Sequence, residues 1–145
     1  MTNKDMEGPR PAILVQHGLL CSSADWVVST PSKGLGKESI GQHIWQKITK
    51  TWQGYILADA GYDVWLGNYR GNTYSRNHTF LNPDALLNHK FWDFTWDEMA
   101  KYDIPSMVEK VLEVTGEEEI FYAGHSMGTT AFMAMGHYRP DILDR

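Results

Sequence analysis

Three short apolar runs punctuate the chain, and each is stopped by glycine. Ala12–Gln16 (AILVQ) ends at His17-Gly18, Tyr62–Leu66 (YDVWL) ends at Gly67-Asn68, and Glu119–Ala123 (EIFYA) ends at Gly124. Five-residue runs of this kind, bounded by turn residues, predict strands, and AILVQ predicts one buried on both faces. Between the second and third runs, Met99, Ile104, Met107, Val108, Val111 and Leu112 recur at helical spacing. Thr95 or Asp97 can cap that helix, and acidic Asp97 and Glu98 suit its N-terminal dipole. Pro105 falls inside the pattern and predicts a kink or a break. Met127–Tyr138, rich in Ala and Met, predicts a further helix with Gly128 close to the preceding strand. Strands alternating with helices imply an α/β fold with a mostly parallel sheet joined by crossovers.

The segment 37–53 differs in character. Ile40, Ile44, Ile48 and Trp52 fall four apart, with Lys37, Lys47 and Lys50 among the polar positions between them. That spacing predicts an amphipathic helix, which either packs its apolar stripe on the core or lies against a lipid surface.

Composition narrows what such a domain can do. The 145 residues are 42% hydrophobic and 21% charged, the balance of one folded domain and not of a disordered chain. A formal net charge of −5 without a concentrated basic surface argues against nucleic acid as a partner. Six Trp, seven Tyr and five Phe suit a core and also suit an acyl-chain pocket. The single cysteine, Cys21, can form no intrachain disulfide and reads as a small buried apolar residue. No stretch reaches transmembrane length, and the polar start MTNKDMEGPRP lacks the apolar run of a signal peptide. Yet Asn77-His78-Thr79 is an N-glycosylation acceptor pattern.

Gly124-His125-Ser126-Met127-Gly128 matches G-x-S-x-G, with an apolar run before it and a helical stretch after it. A serine on a tight strand-to-helix turn has its hydroxyl lifted above the sheet edge, and the glycines avoid collisions with neighbouring backbone. Ser126 is therefore the candidate nucleophile. An oxyanion hole needs two backbone N–H groups aimed at one oxygen. Met127, after the serine, supplies one, and Leu19 in His17-Gly18-Leu19-Leu20 is the candidate for the other. His125 neighbours the serine on the turn and His17 belongs to the oxyanion loop, so neither is expected to act as general base.

With these residues in place the chain resembles the acid lipase family, which includes gastric and lysosomal acid lipases and insect relatives. The matching blocks are Gln16–Leu20 (QHGLL), Ser23–Val27 (SADWV), Leu57–Asn68 (LADAGYDVWLGN) and Arg70–Arg76 (RGNTYSR). They continue through Phe91–Phe94, Trp96–Met99, Tyr102–Pro105 and Gly124–Ser126. The resemblance implies hydrolysis of neutral lipid esters at a lipid–water interface, through an acyl-enzyme on Ser126. It implies no metal or cofactor, and a secreted or lysosomal setting. Three departures stand out. Met127 replaces the family's usual Gln, and the segment 37–54 reads as an insertion within the 1–145 domain. The catalytic Asp and His, the lid and the C-terminal strands of the family lie beyond the positions matched here, so the fold is expected to be partial and this chain inactive alone. His137 and Asp141 follow the serine but lie on or just after its own helix. The alternative reading is a non-catalytic fragment that binds lipid or a partner through exposed apolar surface.

Overall fold

The computed structural model describes residues 8, 10–27, 53–87 and 89–145. At its centre lies strand β1 (Ala12–Gln16), paired in parallel on one side with β2 (Asp63–Gly67) and on the other with β3 (Phe121–Gly124). All five β1 residues are buried, which is why this run is apolar without alternation. Helix α1 (Gln53–Asp59) leads into β2, and α2 (Trp96–Glu98) opens the crossover to β3. A π-helical turn (Met99–Asp103) and α3 (Ile104–Thr115) complete that crossover. Helix α4 (Met127–Tyr138) follows β3 directly, and α5 (Pro140–Leu143) packs back on it.

The register decides where the core sits. Leu14 is paired with Trp65 of β2 and Tyr122 of β3, a row that crosses the sheet on one face. Tyr69, Ile104, Val108, Leu112, Ala131 and Met135 pack over this row. Burial of each large aliphatic side chain contributes roughly 1.5–3 kcal/mol. An exposed pair such as Lys110–Glu113 contributes about 0–1 kcal/mol. The helices are therefore held to the sheet by this face and not by surface charge.

Four strand boundaries differ from the sequence expectation, one of them the end of β3 at Gly124, one residue past Ala123. β2 begins at Asp63 and not at Tyr62, because the Tyr62 N–H donates to Leu57 O at 3.1 Å and so closes the preceding helix. It extends to Gly67, the partner of Gln16. β3 begins at Phe121 and not at Glu119, since the Ile120 N–H turns to Arg145 O instead of the ladder.

At Pro105 the α-helix is interrupted but the helical path continues. The five residues before Ile104 widen to a π-turn, closed by the Ile104 N–H on Met99 O, so the missing proline donor falls in the first turn of α3. Upstream, Thr95 accepts from Asp97 N–H and Glu98 reaches back to Thr95, a capping box. Those Thr95 donors hold the Glu98 carboxyl below its ordinary value. Residues 37–52 of the expected insertion, with the whole Ile40–Trp52 stripe, lie outside the described residues. Its last two positions, Gln53 and Gly54, form the start of α1. There a β-carbon on Gly54 would come 3.1 Å from Trp26 O.

Candidate active site

β3 delivers the chain to Gly124, two residues turn it, and α4 starts at Met127. The turn residue Ser126 has φ 52 and ψ −117, a region that costs an ordinary L-residue about 1–3 kcal/mol. Hydrogen bonds on both sides hold that strain. The His125 N–H donates to Gln16 O at 3.0 Å, carrying β1 pairing one residue past the strand. Thr129 and Thr130 N–H groups donate to Ser126 O at 2.9 and 3.2 Å. The flanking glycines are steric necessities: a β-carbon on Gly124 would sit 2.7 Å from Thr129 N, and one on Gly128 would sit 2.7 Å from Gln16 O. Ser126 is exposed, and among the described residues no side chain hydrogen-bonds its hydroxyl.

The loop after β1 abuts this elbow. A β-carbon on Gly18 would stand 3.1 Å from Ser126 Cβ and 3.2 Å from His125 Nδ1. The Cys21 N–H closes on Gly18 O at 3.3 Å, a turn whose third residue, Leu20, has φ 59. The turn's own hydrogen bond uses the Cys21 donor and leaves that of Leu19 unspent. Met127, first residue of α4, has no carbonyl one turn behind it within the helix to receive its N–H. Both expected oxyanion donors thus belong to segments that meet at Ser126.

His17 is 3% exposed and fully engaged. Its Nδ1 bonds Gly18 O at 2.8 Å, which requires the proton on Nδ1. Its Nε2 then accepts from Tyr69 N–H at 3.3 Å and from Asn72 Nδ2 at 3.0 Å. Asn72 also donates to Asn68 Oδ1, and Asn68 in turn holds Ser23 through both its N–H and its hydroxyl. The imidazole is a brace between two loops, with no lone pair left for a serine proton. Replacing His17 by Ala should lower unfolding free energy by about 1–3 kcal/mol, because the buried Tyr69 N–H loses its acceptor. Urea unfolding at constant m would measure this, and an unchanged midpoint would contradict the brace.

Beside the elbow opens a cleft of about 430 Å³, lined among others by Leu19, Leu20, Arg70, Trp92, Phe94 and Met127. Arg70 is not a free cation there: its Nε and Nη2 bond Asp103 Oδ1 at 2.8 and 2.6 Å, and its backbone N–H bonds Oδ2 at 3.0 Å. Its guanidinium also lies 5.8 Å from the Phe94 ring centroid. Cys21 lines this cleft, half-buried, where the sequence had suggested a buried residue; the turn it closes keeps it at the rim. A hydrogen bond with Asp25 raises its thiol above the ordinary value, which disfavours the thiolate. His137 stands in the last turn of α4, about 15 Å along the axis from Met127, and Asp141 pairs with Arg139. Asn77 is exposed. Among the described residues there is no cluster of metal-binding side chains, and no helix is long and apolar enough to cross a membrane.

Sequence comparison agrees with this geometry. Residues 11–145 match the family described as alpha/beta hydrolase fold. Lipase lipl-1 of Caenorhabditis elegans is 47% identical over 122 residues, which are 84% of this chain and 25% of that protein. The gastric triacylglycerol lipase of Mus musculus is 43% identical over 128 residues, 88% of this chain and 27% of that protein. The human lysosomal acid lipase/cholesteryl ester hydrolase is 43% identical over 144 residues, 99% of this chain and 31% of that protein. The chain therefore spans less than a third of the length of these relatives. It belongs to the alpha/beta hydrolase fold family, and its sequence stands with the gastric and lysosomal acid lipases and their nematode relatives.

Proposed function

We propose that this chain carries the nucleophile and oxyanion hole of a serine hydrolase that cleaves neutral lipid esters in a secreted or lysosomal setting. The observation that carries the reading is the Ser126 backbone, φ 52 and ψ −117, on an exposed turn at a helix N-terminus. Strain of this kind persists where surrounding structure over-determines it, and it serves no packing purpose at an exposed hydroxyl. In the proposed reaction Ser126 Oγ attacks the acyl carbonyl carbon while a base takes its proton. The Leu19 and Met127 N–H groups donate to the oxyanion, aided by the α4 dipole. The alcohol leaves with the base's proton, and water then releases the acid by the same steps. A neutral ester suits the cleft, since its Arg70 is already matched by Asp103.

The reading assigns the base and its carboxylate partner to residues outside this sequence, because the triad of this fold runs Ser, Asp or Glu, His. Exposed Leu19, Leu20, Leu86 and Leu87 also favour a contact with lipid, but binding alone gives no reason for the elbow. Asn77 is proposed as a glycan acceptor, and a mass shift removed by glycosidase and by Asn77→Gln would test it.

The experiment is a graft in which residues 11–145 replace the matching segment of the human lysosomal relative. Treatment with a fluorophosphonate should give one adduct, on the peptide bearing Ser126. An active graft labelled elsewhere would sink the assignment. The isolated 145-residue chain should hydrolyse a short-chain chromogenic ester no faster than its Ser126→Ala form. Robust turnover lost on that substitution would mean that His17, His125 or His137 serves as base.

A further inference from the structure

We infer that Tyr122 is a positioning residue for the elbow, which its hydroxyl and its ring fasten to the strand beneath. Tyr122 lies on β3, four residues before Ser126. Its hydroxyl donates to Gly128 O at 2.9 Å, a carbonyl in the first turn of α4. Its ring stacks on Phe132, one turn further along, with centroids 4.2 Å apart and planes at 18°. The strand below the elbow thus grips the helix above it at two points.

Tyr69 does the corresponding work on the other side. It is 1% exposed and follows β2. Its N–H donates to His17 Nε2, and its ring meets the His17 ring edge-on at 5.2 Å. It therefore holds the residue from which the Leu19 loop departs. Tyr69 belongs to the core cluster and Tyr122 packs against it. Burial is the main cause that raises both phenols above their ordinary values. Both hydroxyls stay protonated, so Tyr122 remains a donor.

The chemistry of the choice supports the role. Phenylalanine would fill the same space without burying a hydroxyl, and a buried hydroxyl is unfavourable unless it bonds something. Tyr122 bonds the elbow helix itself. His17 and Ser126 lie 109 positions apart in the sequence.

The inference rests on the reading of Ser126 and Leu19 as site residues, but its test reads geometry and not chemistry. It can fail while fluorophosphonate labelling of Ser126 succeeds, and the reverse. The experiment is site-resolved amide hydrogen exchange on the full 145-residue chain and its Tyr122→Phe variant. The Gly128, Thr129 and Thr130 amides, bonded to His125 O and Ser126 O, should exchange roughly 5- to 10-fold faster once the hydroxyl is gone. The amides of Val108–Leu112 in α3 should not change. Unchanged elbow amides would overturn the role of Tyr122. An equal rise in α3, including complete unfolding, would reduce it to general packing and overturn it equally.

Discussion

Ser126→Ala in an active graft should lower kcat/KM for a short-chain ester by on the order of 10⁴- to 10⁶-fold, with KM little changed. The substitution removes one oxygen and leaves the backbone strain, the Leu19 and Met127 donors and the Arg70–Asp103 pair untouched. Substrate binding and the oxyanion hole then supply only residual acceleration over water. The effect belongs to kcat because the lost interaction exists only along the bond-forming path. A loss below about tenfold would show that another group attacks the ester. A large loss accompanied by a shifted urea midpoint would instead point to damage to the fold, so the two measurements belong together.

Gly124→Ala should destabilise the fold by about 2–3 kcal/mol, in the upper range for overpacking. The new carbon would lie 2.7 Å from Thr129 N, 2.8 Å from Gly128 C and 3.0 Å from Gly128 O. All three are backbone atoms of the elbow helix, and none can rotate away as a flexible side chain would. Gly128→Ala meets Gln16 O at 2.7 Å and His17 O at 3.0 Å, again backbone. Alanine is favoured over glycine inside a helix by about 1 kcal/mol, so its net cost should be smaller than at Gly124. With a typical urea m-value of about 1–3 kcal/mol/M, the Gly124 change should lower the midpoint by about 1 M or more. A midpoint that stays in place would mean α4 can slide along β1, and the close fit would lose its significance.

How much of this was legible in the sequence follows from distance along the chain. β1 and α4 match their expected ranges because local signals define both: a continuous apolar run, and a helix that begins where G-x-S-x-G ends. The start of β3 shifts because a remote partner, Arg145 O, takes the Ile120 N–H, and that of β2 shifts because the Tyr62 N–H closes the helix before it on Leu57 O. The elbow serine was legible from five consecutive residues. The brace on His17 was not, since Tyr69 and Asn72 reach it from 52 and 55 positions away. Nor did any local pattern single out Tyr122, whose hydroxyl matters only once β3 and α4 are folded against each other. At Pro105 the expected interruption took the form of a π-turn directly ahead of the proline. The chain met the missing donor by widening the turn ahead of it.

That widened turn has a consequence for how this chain can change. A π-turn holds one residue more than the α-turn it replaces, so the two helical stretches around Met99–Asp103 are out of phase by about 100°. At its start, Met99 borders the cleft beside the elbow and also packs on the core. Downstream, Ile104, Val108 and Leu112 are directed onto the sheet. Asp103 sits at the join and holds Arg70. A straight α-helix would have to abandon one of these three directions. Loss of a single codon here would therefore act like a re-clocked gear, turning the cleft wall away from the serine while leaving every residue of the elbow in place.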